Sequence, residues 1–170
     1  IDNLAKAKFF SSLDMNSAFW QIEVAASSQK YTAVNFESGK MEYTTVPMGM
    51  QAASAIFQRS MDILLVGLQP DICTSYIDDV CCYAGETEEE HILGVARVID
   101  RLGGCGLTLR PEKCTFLSET CTFLGCHIGH GRMRPDDGKI SQLRDAPFPE
   151  KADDRSRWLG LLTWCSQHMP

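Results

Sequence analysis

Residues 72–83 read Ile72-Cys73-Thr74-Ser75-Tyr76-Ile77-Asp78-Asp79-Val80-Cys81-Cys82-Tyr83, and this stretch decides how the chain is expected to fold. Apart from its two carboxylates it is mostly apolar or small, which is typical of a strand, a turn and a second strand. Adjacent carboxylates at a turn repel each other, and they offer oxygen ligands to a divalent cation. Asp is also a favoured turn residue, so the pair alone more often marks only a polar hairpin.

A third carboxylate strengthens the interpretation as a cation site. Asp14 follows the apolar segment Phe9-Phe10-Ser11-Ser12-Leu13, which predicts a strand from about Lys8 to Asp14. If this strand lies beside the hairpin of Asp78 and Asp79, three carboxylates meet. Such a site can hold two Mg²⁺ ions roughly 3.5–4 Å apart for phosphoryl or nucleotidyl transfer.

Two amphipathic helices are predicted on either side of the hairpin. The first spans residues 52–68, and its apolar face is formed by Phe57, Met61, Leu64, Leu65 and Leu68. The second begins at a capping box, in which Thr87 is followed three residues later by Glu90, and it ends at Gly103-Gly104. Its buried face is expected to carry Ile92, Val95, Ala96, Ile99 and Leu102.

The order of the predicted elements indicates the fold class. Three short strands are treated as insertions after the first strand, at residues 21–24, 31–36 and 39–46. Leu107-Thr108-Leu109 is expected to return as the last strand. The remaining order is β-α-β-β-α-β, the ferredoxin-like arrangement, which is an α+β fold with an antiparallel sheet and helices on one face. This topology puts the strand of Asp14 beside the hairpin of Asp78 and Asp79 at the centre of the sheet.

Composition limits the class of protein. A chain of 170 residues with 44% hydrophobic residues is expected to form one globular unit with a substantial core. No apolar run approaches the ~20 residues that a membrane-spanning helix needs, and no signal-peptide pattern is present. With 16 Lys and Arg against 22 Asp and Glu, the net charge is −6, which argues against a free-standing nucleic-acid-binding domain.

Eight cysteines raise the question of disulfides or zinc. Because no secretion signal is present, reduced thiols are expected. One cluster holds candidate metal ligands, but its spacing fits no common zinc pattern, since structural zinc sites usually pair their cysteines two to four residues apart. This cluster consists of Cys114, Cys121, Cys126, His127 and His130. Buried or edge thiols are therefore the favoured interpretation.

Blocks of sequence along nearly the whole chain carry a family resemblance. They are Phe10-Ser11-Ser12-Leu13-Asp14-Met15-Asn16-Ser17-Ala18-Phe19-Trp20-Gln21-Ile22, Tyr43-Thr44-Thr45-Val46-Pro47-Met48-Gly49-Met50, Ala55-Ile56-Phe57-Gln58-Arg59-Ser60-Met61, Tyr76-Ile77-Asp78-Asp79, Glu88-Glu89-Glu90-His91, Leu107-Thr108-Leu109-Arg110-Pro111-Glu112-Lys113-Cys114, Phe123-Leu124-Gly125 and Trp158-Leu159-Gly160-Leu161. In this order the blocks resemble the palm of reverse transcriptases from LTR retrotransposons of the gypsy class. Each block is weak alone, but the shared order makes a chance match implausible.

The resemblance implies an RNA-directed DNA polymerase, which transfers deoxynucleotides to a primer 3′-hydroxyl by a two-metal mechanism. It implies that Asp14 and Asp78 ligate two Mg²⁺ ions, for which Mn²⁺ is a possible substitute. Asp79 would ligate less directly, and the backbone carbonyl of Met15 would be a further ligand. Lys113 resembles the family lysine that protonates the departing pyrophosphate, although a plain surface Lys is equally expected there.

The resemblance also implies a set of substrate contacts. Phe19 stands at the family's aromatic position under the sugar of the incoming nucleotide, where the ring excludes a 2′-hydroxyl; without the resemblance it would be interpreted as a core residue. Gln21, Met48 and Tyr76 are expected to border the nucleotide and template pocket, although the family usually has Phe at position 48. Phe123-Leu124-Gly125 resembles the primer grip, in which Gly lets the backbone approach primer phosphates closely.

The resemblance implies a fragment of a longer polyprotein. Residues 1–131 are expected to form the palm with part of the fingers, and residues 132–170 a linker and the start of a following helix at Asp154–His168. The expected partners are an RNA or DNA template with its primer, deoxynucleoside triphosphates, and the fingers, thumb and RNase H segments of the same polyprotein, with no membrane. The expected location is the cytoplasm, within virus-like particles, and the fragment alone is expected to be weakly active or inactive.

Three alternatives share some of these features. An RNA-recognition-type binding module has the same element order, but it needs exposed aromatics on the central strands, where this chain has Asp14 and the Asp78-Asp79 pair. A metal-dependent nuclease or phosphatase also uses clustered Asp, but it usually adds a His or Lys within the metal cluster. A catalytically incomplete or relic palm is the third, and the three intact carboxylates argue against decay.

Overall fold

The structure is a computed structural model that describes Leu4, residues 6–145 and residues 151–166. Its contacts divide the chain into two compact units. The main unit is Phe9–Ser118, and the smaller unit combines Ile1–Lys8 with Glu119–Pro170. The predicted boundary at residue 131 stays a prediction.

An antiparallel sheet organises the main unit. The strands of this unit are β1 (Phe10–Asp14), β2 (Val34–Phe36), β3 (Gly39–Met41), β4 (Cys73–Tyr76), β5 (Asp79–Cys82) and β6 (Thr115–Ser118). Four of them form a sheet in the order β4-β5-β1-β6, while β2 and β3 form a separate hairpin. This order is the ferredoxin-like one that the sequence predicts, with β1 and β5 as neighbours at its centre.

Helices cover one face of this sheet. The α-helices of the main unit are α1 (Ala26–Gln29), α2 (Ala53–Leu64) and α3 (Glu88–Gly104). Helix α2 buries Phe57 and Met61 in a core that also contains Leu13 and Val80 of the two central strands. The predicted helix over residues 52–68 is therefore right in place and face, but it ends at residue 64, and Gly67 has a φ of +78° in the turn that follows.

The start of α3 follows the predicted capping box, but its buried face differs from the prediction. The Glu90 N–H donates to Thr87 Oγ1 at 3.2 Å, as expected. Ile92 and Ala96 are exposed, however, while His91 and Val98 are buried. Two hydrogen bonds of His91 explain this difference, because they turn the His91 edge of the helix toward the sheet. His91 Nε2 lies 2.8 Å from Ser11 Oγ, and His91 Nδ1 lies 2.8 Å from the Ala84 carbonyl oxygen.

Several predicted short strands are wrong or shorter than expected. Residues 21–24 form no strand, because a 3₁₀ turn over Ala18–Gln21 precedes a single bridge between Glu23 and Thr45. The segments 31–36 and 39–46 shrink to β2 and β3. Leu107-Thr108-Leu109 forms only one bridge, between Leu109 and Met15, since β1 ends at residue 14; the place beside β1 is taken by β6.

The smaller unit contains a three-stranded meander followed by two helices. Its strands are β7 (Thr120–Phe123), β8 (Cys126–Gly129) and β9 (Arg132–Pro135), paired in the order β7-β8-β9, and its helices are α4 (Asp137–Arg144) and α5 (Ala152–Ser166). The segment that begins at residue 132, expected to start as a linker, therefore contains a paired strand, β9, and a helix, α4. The helix predicted at Asp154–His168 corresponds to α5, and its predicted end at His168 lies outside the described residues. None of the helices in the described ranges is long and apolar enough to cross a bilayer.

Candidate active site

Two carboxylates stand opposite each other at the centre of the main sheet. Asp14 is the last residue of β1 and Asp79 is the first residue of β5, and their Cα atoms are direct partners in the antiparallel register. Residues paired in this way have Cα atoms about 4.5–5.5 Å apart. Leu13 and Val80, one position away, are buried against the helices, so strand alternation puts Asp14 and Asp79 on the opposite face. The predicted pairing of the two strands is confirmed.

Asp78 lies in the two-residue turn that joins β4 to β5. Tyr76 and Asp79 form the last pair of the hairpin, so Ile77 and Asp78 alone make the turn. Ile77 has a φ of +55°, a left-handed conformation that is uncommon for a β-branched residue. Its N–H donates to the side-chain Oε1 of Gln58 in α2 at 2.6 Å. The turn thus presents Asp78 directly beside the Asp14–Asp79 pair.

Negative charges lie close together in this site and affect the pKa of Asp79. Burial raises the pKa of the Asp79 carboxyl above its usual range, the charges of Asp78 and Asp14 raise it further, and Lys113 lowers it. Lys113 Nζ lies 3.8 Å from Asp14 Oδ2, and 57% of the lysine side chain is exposed. The mostly exposed ammonium of Lys113 therefore neutralises only part of the charge of the three carboxylates.

Backbone contacts fix the position of Asp14. The Arg110 N–H donates to the Asp14 carbonyl oxygen at 2.8 Å, and the Asn16 N–H donates to the Thr108 carbonyl oxygen at 3.0 Å. These two bonds make the bridge between Met15 and Leu109, so the Met15 carbonyl takes no part in it. The Asp14 N–H also donates to Cys114 Sγ at 3.4 Å, a contact with no sequence signature because the thiol lies 100 positions away.

The expected substrate-contact residues fall into two groups in the main unit. Tyr76 and Met48 are exposed, at 52% and 66% of their surface, and are open to a ligand. Phe19 is half-buried and packs edge-on against Phe57, with ring centroids 5.8 Å apart. Gln21 is engaged: its Nε2 donates to the carbonyl oxygens of Asn16 and Thr108, and its Oε1 accepts from the Thr108 N–H at 2.7 Å.

The donor set suits a hard divalent cation. Carboxylate and carbonyl oxygens are the ligands that Mg²⁺ takes. A bound cation also relieves the repulsion among the carboxylates of Asp14, Asp78 and Asp79. As they stand, no three His, Cys, Asp or Glu side chains among the described residues lie close enough together to hold one ion. For all three carboxylates to ligate one ion, their side chains must therefore move closer together.

The expected primer-grip residues lie in the smaller unit. Phe123 ends β7, and Leu124 and Gly125 make the turn to β8 with φ values of +53° and +76°. The left-handed conformation at position 125 is one that Gly adopts readily.

The meander of β7, β8 and β9 has one polar face. By register, Thr122 lies opposite His127 and His127 opposite Arg134, while Gly129 lies opposite Arg132. Arg132 and Arg134 are both exposed, and His127 Nε2 lies 2.7 Å from Asp136 Oδ1. A depression of about 500 Å³ opens on this face. The unit thus carries a local positive surface in an otherwise acidic chain.

The cysteines form neither disulfides nor a zinc site in the described part of the chain. None of the seven cysteines whose side chains are described is in a disulfide. Cys126 is buried while His127, next to it in β8, is half-exposed, as expected for opposite faces of a strand. Burial raises the pKa of the Cys73 thiol to about 12, so this thiol stays protonated at neutral pH.

The sequence of this chain is similar to a large family. A sequence model described as reverse transcriptase (RNA-dependent DNA polymerase) matches residues 1–128. This chain belongs to the reverse transcriptase family. The retrovirus-related Pol polyprotein from transposon 412 of Drosophila melanogaster is 32% identical over 164 residues, which cover 96% of this chain and 13% of that polyprotein. The retrovirus-related Pol polyprotein from transposon gypsy of the same fly is 32% identical over 162 residues, which cover 95% of this chain and 16% of that polyprotein.

A plant virus carries a further relative. The enzymatic polyprotein of Cauliflower mosaic virus (strain Strasbourg) is 32% identical over 166 residues, which cover 96% of this chain and 24% of that polyprotein. This member of the reverse transcriptase family thus spans less than a quarter of the length of each of these relatives.

Solved structures of reverse transcriptases share the fold. The foamy viral protease-reverse transcriptase in complex with double-stranded DNA matches with a TM-score of 0.83 and 24% identity, over 96% of this chain and 28% of that chain. The foamy viral protease-reverse transcriptase with an RNA/DNA hybrid matches with a TM-score of 0.77 over 95% of this chain and 22% of that chain. The ferredoxin-like arrangement of the main unit is therefore that of a reverse transcriptase palm.

Proposed function

We propose that this chain is the palm of an RNA-directed DNA polymerase and that Asp14, Asp78 and Asp79 bind the divalent cations for nucleotidyl transfer. The observation that supports this most strongly is the direct cross-strand pairing of Asp14 with Asp79, next to the turn that carries Asp78. Two sequence-distant carboxylates opposite each other in a sheet destabilise it unless a cation binds there. The proposed ions are two Mg²⁺, with Mn²⁺ as a substitute.

The chemistry divides between the ions and the chain. When bound, two divalent ions generate the 3′-hydroxyl nucleophile and neutralise the charge of the pyrophosphate leaving group. The chain supplies position: Asp14 and Asp78 hold both ions, Asp79 contributes charge from across the sheet, and the Met15 carbonyl, unused by its bridge, offers a fourth oxygen. Nearly all the catalysis in such a site is positioning and electrostatic stabilisation.

Lys113 is the proposed general acid. Its ammonium already lies beside the site, 3.8 Å from Asp14 Oδ2, and its exposure leaves it free to move toward a departing pyrophosphate. The side chain donates a proton to the leaving oxygen as the P–O bond breaks.

Phe19 is the proposed sugar gate. Its ring is held edge-on against Phe57, one of the most deeply buried core residues, so it cannot easily turn away. A fixed ring rejects a 2′-hydroxyl by steric exclusion, which is how similar substrates are discriminated. Exposed Met48 and Tyr76 are proposed to border the nucleotide and template beside it. Gln21 is proposed to act indirectly, by holding the backbone of Asn16 and Thr108 in place.

The proposed partners are a primed RNA or DNA template and deoxynucleoside triphosphates. The foamy viral relatives were solved with double-stranded DNA and with an RNA/DNA hybrid. In this chain the positive face with Arg132 and Arg134 is a surface that phosphates favour, and Phe123-Leu124-Gly125 is the proposed primer grip.

The proposed division of labour assigns residues 1–131 to the palm with part of the fingers and residues 132–170 to the connection that follows. Further fingers, thumb and RNase H segments of the same polyprotein would complete the enzyme. The proposed site of action is a cytoplasmic virus-like particle. Since phosphate contacts supply most nucleic-acid affinity and this chain has a net charge of −6, we expect the 170-residue chain alone to extend a primer poorly or not at all.

The test is primer extension on an RNA template with Mg²⁺ and deoxynucleotides at low salt. The chain is inserted in place of the matching segment of the transposon 412 Pol polyprotein, and this chimera is compared with its Asp78→Asn variant, with Asp71→Asn as the matched control. We expect extension by the parent and the control and none by Asp78→Asn. Normal extension by Asp78→Asn would exclude the proposed catalytic role of this carboxylate.

A further inference from the structure

The turn that carries Asp78 is held from outside the sheet by one side chain of α2. Gln58 is half-buried, and its Oε1 accepts the Ile77 N–H at 2.6 Å. Its Nε2 donates to Asp62 Oδ1 at 2.8 Å and lies 3.5 Å from the Ser75 carbonyl oxygen. The carboxamide orientation is fixed by chemistry, because a backbone N–H can only donate and an ionised carboxylate can only accept.

The Ile77 amide needs this acceptor. In the hairpin, Tyr76 pairs with Asp79, so the N–H of Ile77 lies beyond the last pair of the ladder. The half-buried Ile77 side chain packs against the main core, which keeps its backbone close to α2. A half-buried N–H without a partner is unfavourable, and Gln58 satisfies it.

The conformation of Ile77 needs support as well. A φ of +55° is rare for a β-branched residue and is strained, and Gly is the residue usually found in such a conformation. An Ile here gains core packing but loses backbone freedom. The Gln58 hydrogen bond ties this backbone to helix α2.

We propose that Gln58 is a positioning residue, which holds the left-handed turn at Ile77 and thereby keeps Asp78 beside the Asp14–Asp79 pair. Asp62, one helical turn along α2, aligns the carboxamide for this task. The inference deepens the proposed function, because it assigns a second layer of residues to the same cation site.

The first measurement is amide hydrogen exchange of the 170-residue chain, which does not depend on catalysis or metal. We expect the Ile77 amide to be protected in the parent and to exchange roughly tenfold faster or more in Gln58→Met, while the Val80 amide within the β4–β5 hairpin is unchanged. Met is similar in size and also favours helix, so α2 persists. The control is Gln29→Met, which removes another Gln side-chain hydrogen bond to backbone, at Val24.

The second measurement is Mn²⁺ affinity, read by electron paramagnetic resonance of the same variants. We expect Gln58→Met to raise the dissociation constant roughly two- to tenfold, the factor that corresponds to one hydrogen bond, and Gln29→Met to leave it unchanged. In an Ile77→Gly background, where a left-handed turn is unstrained, the effect of Gln58→Met should shrink.

Three results would overturn the proposal. One is an Ile77 amide that exchanges equally fast in the parent and in Gln58→Met. Another is an unchanged Mn²⁺ affinity in Gln58→Met, which would leave Gln58 a purely structural contact. The third is an equal loss of affinity in the Ile77→Gly background. If the parent bound no Mn²⁺ at all, the proposed function would fail, and amide exchange would still decide whether Gln58 holds the turn.

Discussion

Replacing Asp79 by Asn should stabilise the chain in the absence of metal. Asp14 and Asp79 are direct cross-strand partners, and like charges so placed destabilise a sheet by about 0.2–1 kcal/mol. For a chain of this size, 1 kcal/mol shifts the melting temperature by about 2–4 °C, so we expect a rise of about 0.4–4 °C. Asp79 is a cleaner choice than Asp14, because Asp14 would also lose its ion pair with Lys113.

The stability gained by Asp79→Asn should increase with pH. Because the pKa of Asp79 is raised in the folded state, the folded chain binds this proton more tightly than the unfolded chain. The stability from that proton is fully present below the unfolded pKa of about 3.9 and is lost as pH rises through the higher folded pKa. The advantage of Asp79→Asn should therefore be small near pH 3.5 and complete at neutral pH.

The assay is thermal unfolding with and without Mg²⁺. A ligand at ten times its dissociation constant stabilises the folded state by about 1.4 kcal/mol, and Asp79→Asn should lose part of that gain. Asp71→Asn, at an exposed carboxylate of the same unit, should leave both values unchanged. A lower melting temperature for Asp79→Asn together with an unchanged Mg²⁺ response would refute the convergence of the carboxylates.

Three further predictions concern activity. In the enzyme completed with fingers and thumb, Phe19→Val should admit ribonucleotides while deoxynucleotide incorporation persists, and an unchanged incorporation ratio would make Phe19 only a core residue. Lys113→Met should slow single-turnover extension by about 10²-fold or more while stability changes by less than about 1 kcal/mol, since exposed ion pairs contribute little; an unchanged rate would remove its role as general acid. Residues 1–170 alone should extend a primed template poorly or not at all, and robust extension would contradict the expected dependence on other segments.

The central sheet could be predicted because its signals are local. Alternation of apolar residues, the Asp pair and the Thr87–Glu90 capping box act within a few positions, and they determine β1, the β4–β5 hairpin and the start of α3. The pairing of Asp14 with the strand of Asp79 then follows from the β-α-β-β-α-β order.

The errors arise where contacts distant in sequence decide the local structure. The buried face of α3 depends on the bonds of His91 to Ser11 and Ala84, and a polar residue gives no periodic apolar signal. The Leu107–Leu109 segment has the composition of a strand, but β1 ends before it can pair for more than one residue. The Gln58 contact with Ile77 spans 19 positions and has no sequence signature.

The most direct test of the central claim is paramagnetic broadening of backbone amide signals by substoichiometric Mn²⁺. If Asp14, Asp78 and Asp79 form the cation site, the amides of Met15 and Val80, which follow two of these carboxylates, should broaden first in the parent chain. That broadening should be much weaker in Asp78→Asn. Early broadening instead at the acidic start of α3, Glu88–Glu90, with the Met15 and Val80 signals unaffected, would contradict the account.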